Sequence, residues 1–268
     1  MKEKQHQELI VEREGYVGTL KLNRPERKNA LSPDLLIKLH LALQEWEKSG
    51  EVRVAVITSA HDEAFSSGFD VLAIPTEMTP EMKEVMKKHN PLELALRAVK
   101  NFPYPTIAML NGYAFGAGLN MAINCDVRIA ADDIRVGMPP ARLGLIYHPE
   151  GVRQFVEVLG MPRTREVFFS GRTYRGAQLR EMGLVDHLVG RDELRGVTYA
   201  LAEEIAANAP LSVKGTKRIL NMLGEGLRLP DEKLAEAEVL ITEAFNSDDL
   251  KEGQAAFLDK RKPRFVGK

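Results

Sequence analysis

The chain has 268 residues, 44% of them hydrophobic, and its 37 Lys and Arg against 38 Asp and Glu leave a formal net charge of -1. That balance excludes a whole-molecule field suited to nucleic acid or an anionic membrane, so any anion site has to be local. A single cysteine, Cys125, excludes an intrachain disulfide, no Cys/His group has zinc-ligand spacing, and no run approaches the roughly 20 apolar residues of a membrane span; a cytoplasmic protein without a metal is expected.

In chain order, "ELIVEREG" and "YVGTLKLN" are β-branched and partly alternating around Gly15, which predicts a hairpin entering a sheet. The period then changes. In "SPDLLIKLHLALQEWEKSG", Ser32 is an N-cap, Pro33 suits the first helical position, Leu35, Leu36, Leu39, Leu43 and Trp46 form an apolar stripe, and Gly50 stops the helix. "VRVAVITS" and "PTIAML" read as buried strands, separated by the loop "AHDEAFSSGFD" and a helix around residues 79 to 100. "CDVRIAA" and the short "VDHLV" are further strands, with the irregular stretch "VGMPPARLGLIYHPEGV" between them. From about residue 191 the pattern is helical, in "ELRGVTYALAEEIAANA", "SVKGTKRILNML", "PDEKLAEAEVLITEAFN" and "DDLKEGQAAFLDKR". Strands alternating with helices imply an α/β core. The helical tail cannot bury every apolar face on itself, so it should dock on the core or on another subunit.

Two glycine-bearing loops follow strands: "FSSGFD" and "NGYAFGAG". Were their strands neighbours, backbone N–H groups from both would converge and could hold a developing oxyanion, aided by the helix that begins near Gly116. A dinucleotide site fits poorly: Gly112, Gly116 and Gly118 do not spell G-x-G-x-x-G, and no acid for a ribose lies about 20 residues on.

"LNRPERKNALS", "AFSSGFD", "PTIAMLNGYAFGAGLNMAINCDVRIAADD", "FFSGRTYRGAQLREMGLVDHLV" and "FLDKRKPRF" resemble, in that order and over nearly the whole chain, the landmarks of the crotonase (enoyl-CoA hydratase/isomerase) superfamily. The resemblance implies an α/β fold with a spiral core of repeated ββα units over residues 1–195, carrying the acyl-CoA site, and a C-terminal helical oligomerisation region over 196–268, giving a homotrimer or hexamer. It implies an acyl-CoA thioester substrate, with CoA carried as part of the substrate and no separate cofactor, and a thioester oxygen resting on the N–H groups of Phe69 and Ala117. For the CoA body it points to Arg27, Lys28 and Ala30 in "ERKNA", to Ser66, Gly68, Asp70, Val71 and Leu72 in "SSGFDVL", and to Lys260 and Lys262 in the tail.

The sequence departs from the family where hydratases carry two glutamates. Those positions are Asn120 and Pro140, neither of which can exchange a proton at neutral pH. Downstream, Tyr147 matches an active-site tyrosine of methylmalonyl-CoA decarboxylase-like members, whose P-A-K-L-G motif is similar to Pro140–Gly144. His148 matches the position where dehalogenase and dienoyl-isomerase members place an aspartate, and Glu150 follows two residues later. The readings are therefore a non-standard lyase or isomerase, decarboxylation being one version; a hydratase or isomerase using His148 or Glu150; or a catalytically silent acyl-CoA-binding subunit. His61 and His89 read as surface residues. Met82, Val85 and Met86 line either the acyl pocket or ordinary core.

Overall fold

The structure, a computed structural model, describes residues 7–70, 90–227 and 230–266. Val71, Leu72, Met82, Val85, Met86 and His89 lie outside the described residues, as does residues 79–89 of the expected helix. The remainder of that helix is α2 (Pro91–Asn101), capped by the Asn90 side chain.

The hairpin is β1 (Leu9–Glu14) against β2 (Val17–Leu22), antiparallel, with Gly15 at φ 55° in the turn. Helix α1 (Pro33–Ser49) starts at Ser32, whose hydroxyl accepts the Leu35 N–H at 3.2 Å, and ends at Gly50 with φ 66°. All five residues of its predicted stripe are buried. Each such burial stabilises by about 1.5–3 kcal/mol.

Two sheets form the core. The first runs β1-β2-β3-β5-β7-β10 and the second β4-β6-β8-β9, with β3 (Val54–Ser59), β4 (Ala64–Ser66), β5 (Thr106–Leu110), β6 (Tyr113–Phe115), β7 (Val127–Ala131), β8 (Arg135–Gly137), β9 (Thr173–Arg175) and β10 (His187–Val189). The chain crosses between the sheets in a repeating way: β3 then β4, β5 then β6, and β7 then β8 each place a first strand in the first sheet and a second in the other. After β6 comes α3 (Ala117–Ile123), and after β8 comes α4 (Pro149–Ser170), which breaks at Gly160. This is the ββα repeat expected. Strands β4, β6, β8 and β9 are three residues each: β4 and β6 overlap the two glycine-bearing loops, β8 overlaps the start of the irregular stretch, and β9 lies where the sequence predicts no strand.

Beyond α5 (Gln178–Glu181), the long helix α6 (Arg191–Ala207) buries Leu194, Thr198, Ala202 and Ala206, and its Tyr199 hydroxyl lies 2.9 Å from the Thr19 hydroxyl of β2. The expected boundary at 195/196 falls inside this helix. Then follow α7 (Pro210–Gly224), α8 (Asp231–Phe245) and α9 (Asp248–Leu258). Helix α9 returns to its own core: a Cβ on Gly253 would stand 2.5 Å from the Leu143 carbonyl oxygen, and one on Gly144 would stand 2.6 Å from that of Asp249. No helix among the described residues is long and apolar enough to cross a membrane.

Candidate active site

The glycine loops meet because their strands are partners. Strands β3 and β5 pair in the first sheet, and β4 and β6 pair in the second with Ser66 opposite Ala114. Both parallel strands therefore deliver the following residues, Gly68–Phe69 and Gly116–Ala117, to the same end of the sheet. Gly68 has φ 105°, and a Cβ there would stand 2.8 Å from the Phe115 carbonyl oxygen and 3.5 Å from the Ala117 nitrogen. Only glycine permits both that conformation and that approach. Gly118 is as tightly held, its would-be Cβ lying 2.6 Å from Ser66 Cβ.

The directions of the two N–H groups follow from covalent geometry. Leu31 donates its N–H to the Gly68 carbonyl at 2.8 Å; in a trans peptide the Phe69 N–H then points the opposite way. Ala117 is the first residue of α3 and keeps a negative φ, so its N–H has no carbonyl one turn back to meet. A side chain at position 117 is therefore harmless to a main-chain donor.

Beyond these donors lies Asn120, fully buried one turn into α3. Its Nδ2 donates to Gln154 Oε1 at 2.7 Å, while its Oδ1 is buried with no hydrogen-bond partner. The Tyr147 hydroxyl is likewise buried without a partner. Its ring packs against Phe168, centroids 5.7 Å apart, and lies over Gly151, where a Cβ would stand 2.3 Å from Tyr147 Cε1 and 3.4 Å from Asn120 Oδ1. Burial pushes the phenol above its ordinary value, so it stays protonated and can donate. Pro140, buried in a short 3-10 turn (Pro140–Leu143), presents no titratable group.

His148 and Glu150 are placed differently. His148 is the N-cap of α4: its Nδ1 accepts the Glu150 N–H at 3.3 Å and lies 3.5 Å from Glu93 Oε1, with 43% of the side chain exposed. Glu150 forms a two-armed pair with Arg153, at 2.6 and 2.9 Å. Burial alone would push its carboxyl up, but the hydrogen bonds and charge of Arg153 outweigh that and hold it below the ordinary carboxylate range. A carboxylate so engaged is a poor proton acceptor. Sequence reasoning missed Gln154, Gly151 and Arg153, whose roles depend on α4 beginning at Pro149.

The two segments expected to meet CoA also come together. Leu31 bridges Phe69 as a short parallel pair, the Ser67 N–H donates to the Lys28 carbonyl at 3.0 Å, and Arg27 pairs with Asp70 at 2.7 Å. Lys28 is exposed, 3.6 Å from Glu63. The buried Ser66 hydroxyl donates to the Asn29 carbonyl at 2.8 Å and accepts the Gly68 N–H at 3.1 Å, so it braces the loop, as does the Asn29 side chain, which donates to Ser59 and to the Ala64 carbonyl. The buried Ala30 gives its N–H to the Arg27 carbonyl and its own carbonyl to Arg24. Lys260 and Lys262 are exposed on the tail after α9, whose contact with the core is at Leu143 and Gly144. Among the described residues no group of three His, Cys, Asp or Glu side chains is placed to hold a metal ion.

Paired loops that bring Gly68–Phe69 and Gly116–Ala117 to one end of neighbouring parallel strands, on a ββα core, suit an enzyme that handles a thioester, and comparison with known proteins bears on the class. The enoyl-CoA hydratase/isomerase family model matches residues 12–268. The chain is 30% identical to the short-chain-enoyl-CoA hydratase of Clostridium acetobutylicum, over 95% of both proteins, and 28% identical to the methylmalonyl-CoA decarboxylase of Escherichia coli, over 94% and 95%. A solved methylmalonyl-CoA decarboxylase in complex with 2-nitronate-propionyl-CoA superposes with a TM-score of 0.90 at 27% identity, covering 98% of this chain and 100% of that one. This chain belongs to the enoyl-CoA hydratase/isomerase family and is a crotonase-superfamily enzyme acting on acyl-CoA.

Proposed function

We propose that the protein is a crotonase-type lyase that removes CO2 from a malonyl-type acyl-CoA. The observation that carries this reading is the pair of buried atoms without a hydrogen-bond partner, the Tyr147 hydroxyl and Asn120 Oδ1, on two side chains that both flank Gly151, where a hydratase would need two free carboxylates. The positions of those carboxylates hold Asn120 and Pro140, and the nearby Glu150 is committed to Arg153. The likeness to methylmalonyl-CoA decarboxylases supports the same conclusion.

In the proposed reaction the Tyr147 hydroxyl donates to the substrate carboxylate and orients it. The bond from Cα to that carboxylate breaks, its electron pair passes into the thioester enolate, and CO2 leaves neutral. The enolate's charge rests on the thioester oxygen, held by the Phe69 and Ala117 N–H groups; one such donor is worth about 3 to 4 kcal/mol of barrier. A proton from Tyr147, replaced from solvent, or from water completes the product at Cα. Arg27 and Lys28 hold CoA phosphates, with the main chain from Ala30 and from Ser66 to Asp70 along the pantetheine, and Lys260 and Lys262 assist from a neighbouring subunit in a homotrimer or hexamer.

Purified protein incubated with methylmalonyl-, ethylmalonyl-, 3-enoyl- and crotonyl-CoA, read by mass spectrometry, tests this. Loss of CO2 from the malonyl-type thioesters is expected, with Tyr147→Phe slowing it by about 10- to 100-fold through loss of a buried hydrogen bond to a charged group. Hydration of crotonyl-CoA at about 1 to 1000 per second, an ordinary enzymatic rate, would overturn the reading.

A further inference from the structure

The orientation of the Asn120 amide is fixed from a distance. Glu150, ionised against Arg153, has only lone pairs to offer. It lines a polar cavity of about 350 Å3 with Arg97, Lys100, Arg153, Gln154, Asn221 and Glu225, where Arg153 and Lys100 favour its charged form. The amide that faces it, Gln154, must therefore turn its Nε2 toward Glu150, at 3.4 Å from Oε1. Gln154 Oε1 is then left on the far side, where it accepts from Asn120 Nδ2 at 2.7 Å and Asn124 Nδ2 at 2.8 Å. With its NH2 committed, Asn120 has one choice: its carbonyl oxygen turns toward Gly151, on the side where the Tyr147 ring packs, and meets no donor there. The direction of every amide in the series follows from the acceptor-only group at its end, and none is free to turn over alone.

We infer that Glu150 and Gln154 are positioning residues that lock the Asn120 carbonyl oxygen toward the acyl pocket, where its partial negative charge opposes a bound substrate carboxylate and favours its departure as neutral CO2. This rests on the decarboxylase reading and deepens it. Tyr147 holds the carboxylate by a donated hydrogen bond, and the opposing oxygen makes the bound carboxylate less stable than the uncharged product. For a buried oxygen, shielded from bulk solvent, a dipole held this way acts more strongly than it would in water.

The test uses the 2-carboxypropyl thioether of CoA, which keeps the carboxylate but has no thioester to form an enolate, beside propionyl-CoA, which lacks the carboxylate. The quantity read is the ratio of their Kd values, because a general disturbance of the site moves both. Glu150→Gln lets Gln154 and Asn120 turn over, and Gln154→Met removes the acceptor that holds the Asn120 NH2. Each is expected to tighten the carboxylate ligand relative to propionyl-CoA by about tenfold, the size of one hydrogen-bond contact. Glu150→Gln with Gln154→Glu keeps an acceptor in front of Asn120, so the wild-type ratio should return. Asn120→Ala, which removes the opposing oxygen, should narrow the ratio like the unlocking variants and decides the matter where those do not fold. A ratio unchanged in Asn120→Ala, or in the unlocking variants that fold, overturns the inference. Failure of the functional reading looks different: no CO2 from methylmalonyl-CoA while the ratio still shifts.

Discussion

Gly151 sets how closely Tyr147 can approach Asn120. A Cβ there would overlap the Tyr147 ring, at 2.3 Å from Cε1, while meeting Asn120 Oδ1 at an ordinary 3.4 Å. The Gly151→Ala variant is therefore expected to push the ring aside, at about 1 to 3 kcal/mol of stability for overpacking. It should slow decarboxylation much as Tyr147→Phe does while leaving propionyl-CoA bound by the Phe69 and Ala117 N–H groups. Calorimetric unfolding and product analysis check both halves; full activity in Gly151→Ala would mean the phenol has no part in the reaction. The resemblance of the sequence to its family points to Asn120, Tyr147 and the two loop donors because each sits at a fixed offset from a motif shared with that family. It does not show the commitment of Glu150 to Arg153, three residues on, or of Gln154 to Asn120. Those pairings need α4 to begin at Pro149, and the stretch "IYHPEGV" carries no helical period of its own until the helix behind it is known.

At the scale of elements, legibility follows length. Helix α1 shows its cap, stripe and stop because seventeen residues give the 3.6-residue period room to repeat. Strands β4, β8 and β9 are too short for alternation to be seen, and the second sheet, which aligns the two donor loops, is built of three-residue strands. The tail after α9 is held by a different means. Glu252 accepts from Arg261 through both carboxylate oxygens and from the Arg264 N–H at 2.7 Å, and these bonds, the Arg261 ones foremost, draw its pKa from 4.5 down to about 2. A carboxyl that binds fewer protons folded than unfolded stabilises its clamp above about pH 4.5. That contribution disappears as the pH falls through about 2. Amide exchange at Arg264 should thus lose protection across this interval, and Glu252→Gln should remove it at neutral pH. Equal protection in the variant and the parent protein would show that the clamp does not hold the tail.

At the scale of the whole molecule, the exposed apolar surface of the described residues is concentrated late in the chain. Helix α8 buries none of its side chains and α7 buries only Lys217, yet Leu211, Ile219, Leu220 and Leu223 on α7 and Val239 and Leu240 on α8 stand exposed, Leu211 at 85%. A helix with that much uncovered leucine is incomplete alone. The flanking helices are also anchored to their own chain: α6 belongs to the core through Leu194, Ala202 and Ala206, and α9 rests on Leu143 and Gly144 while leaving Phe257 and Leu258 exposed. For the oligomerisation region expected over 196–268, we propose that α7 and α8 form the centre of the contact. Each leucine covered by a second copy contributes about 1.5 to 3 kcal/mol, so a few of them carry an assembly. Light scattering of the purified protein should give the mass of a trimer or hexamer. Leu223→Glu combined with Leu240→Glu should yield protomers whose near-ultraviolet dichroism is unchanged, since neither side chain belongs to the monomer core. A parent protein that runs as a monomer would leave those helices without the covering their composition demands, and a double variant that stays assembled would move the interface to another face.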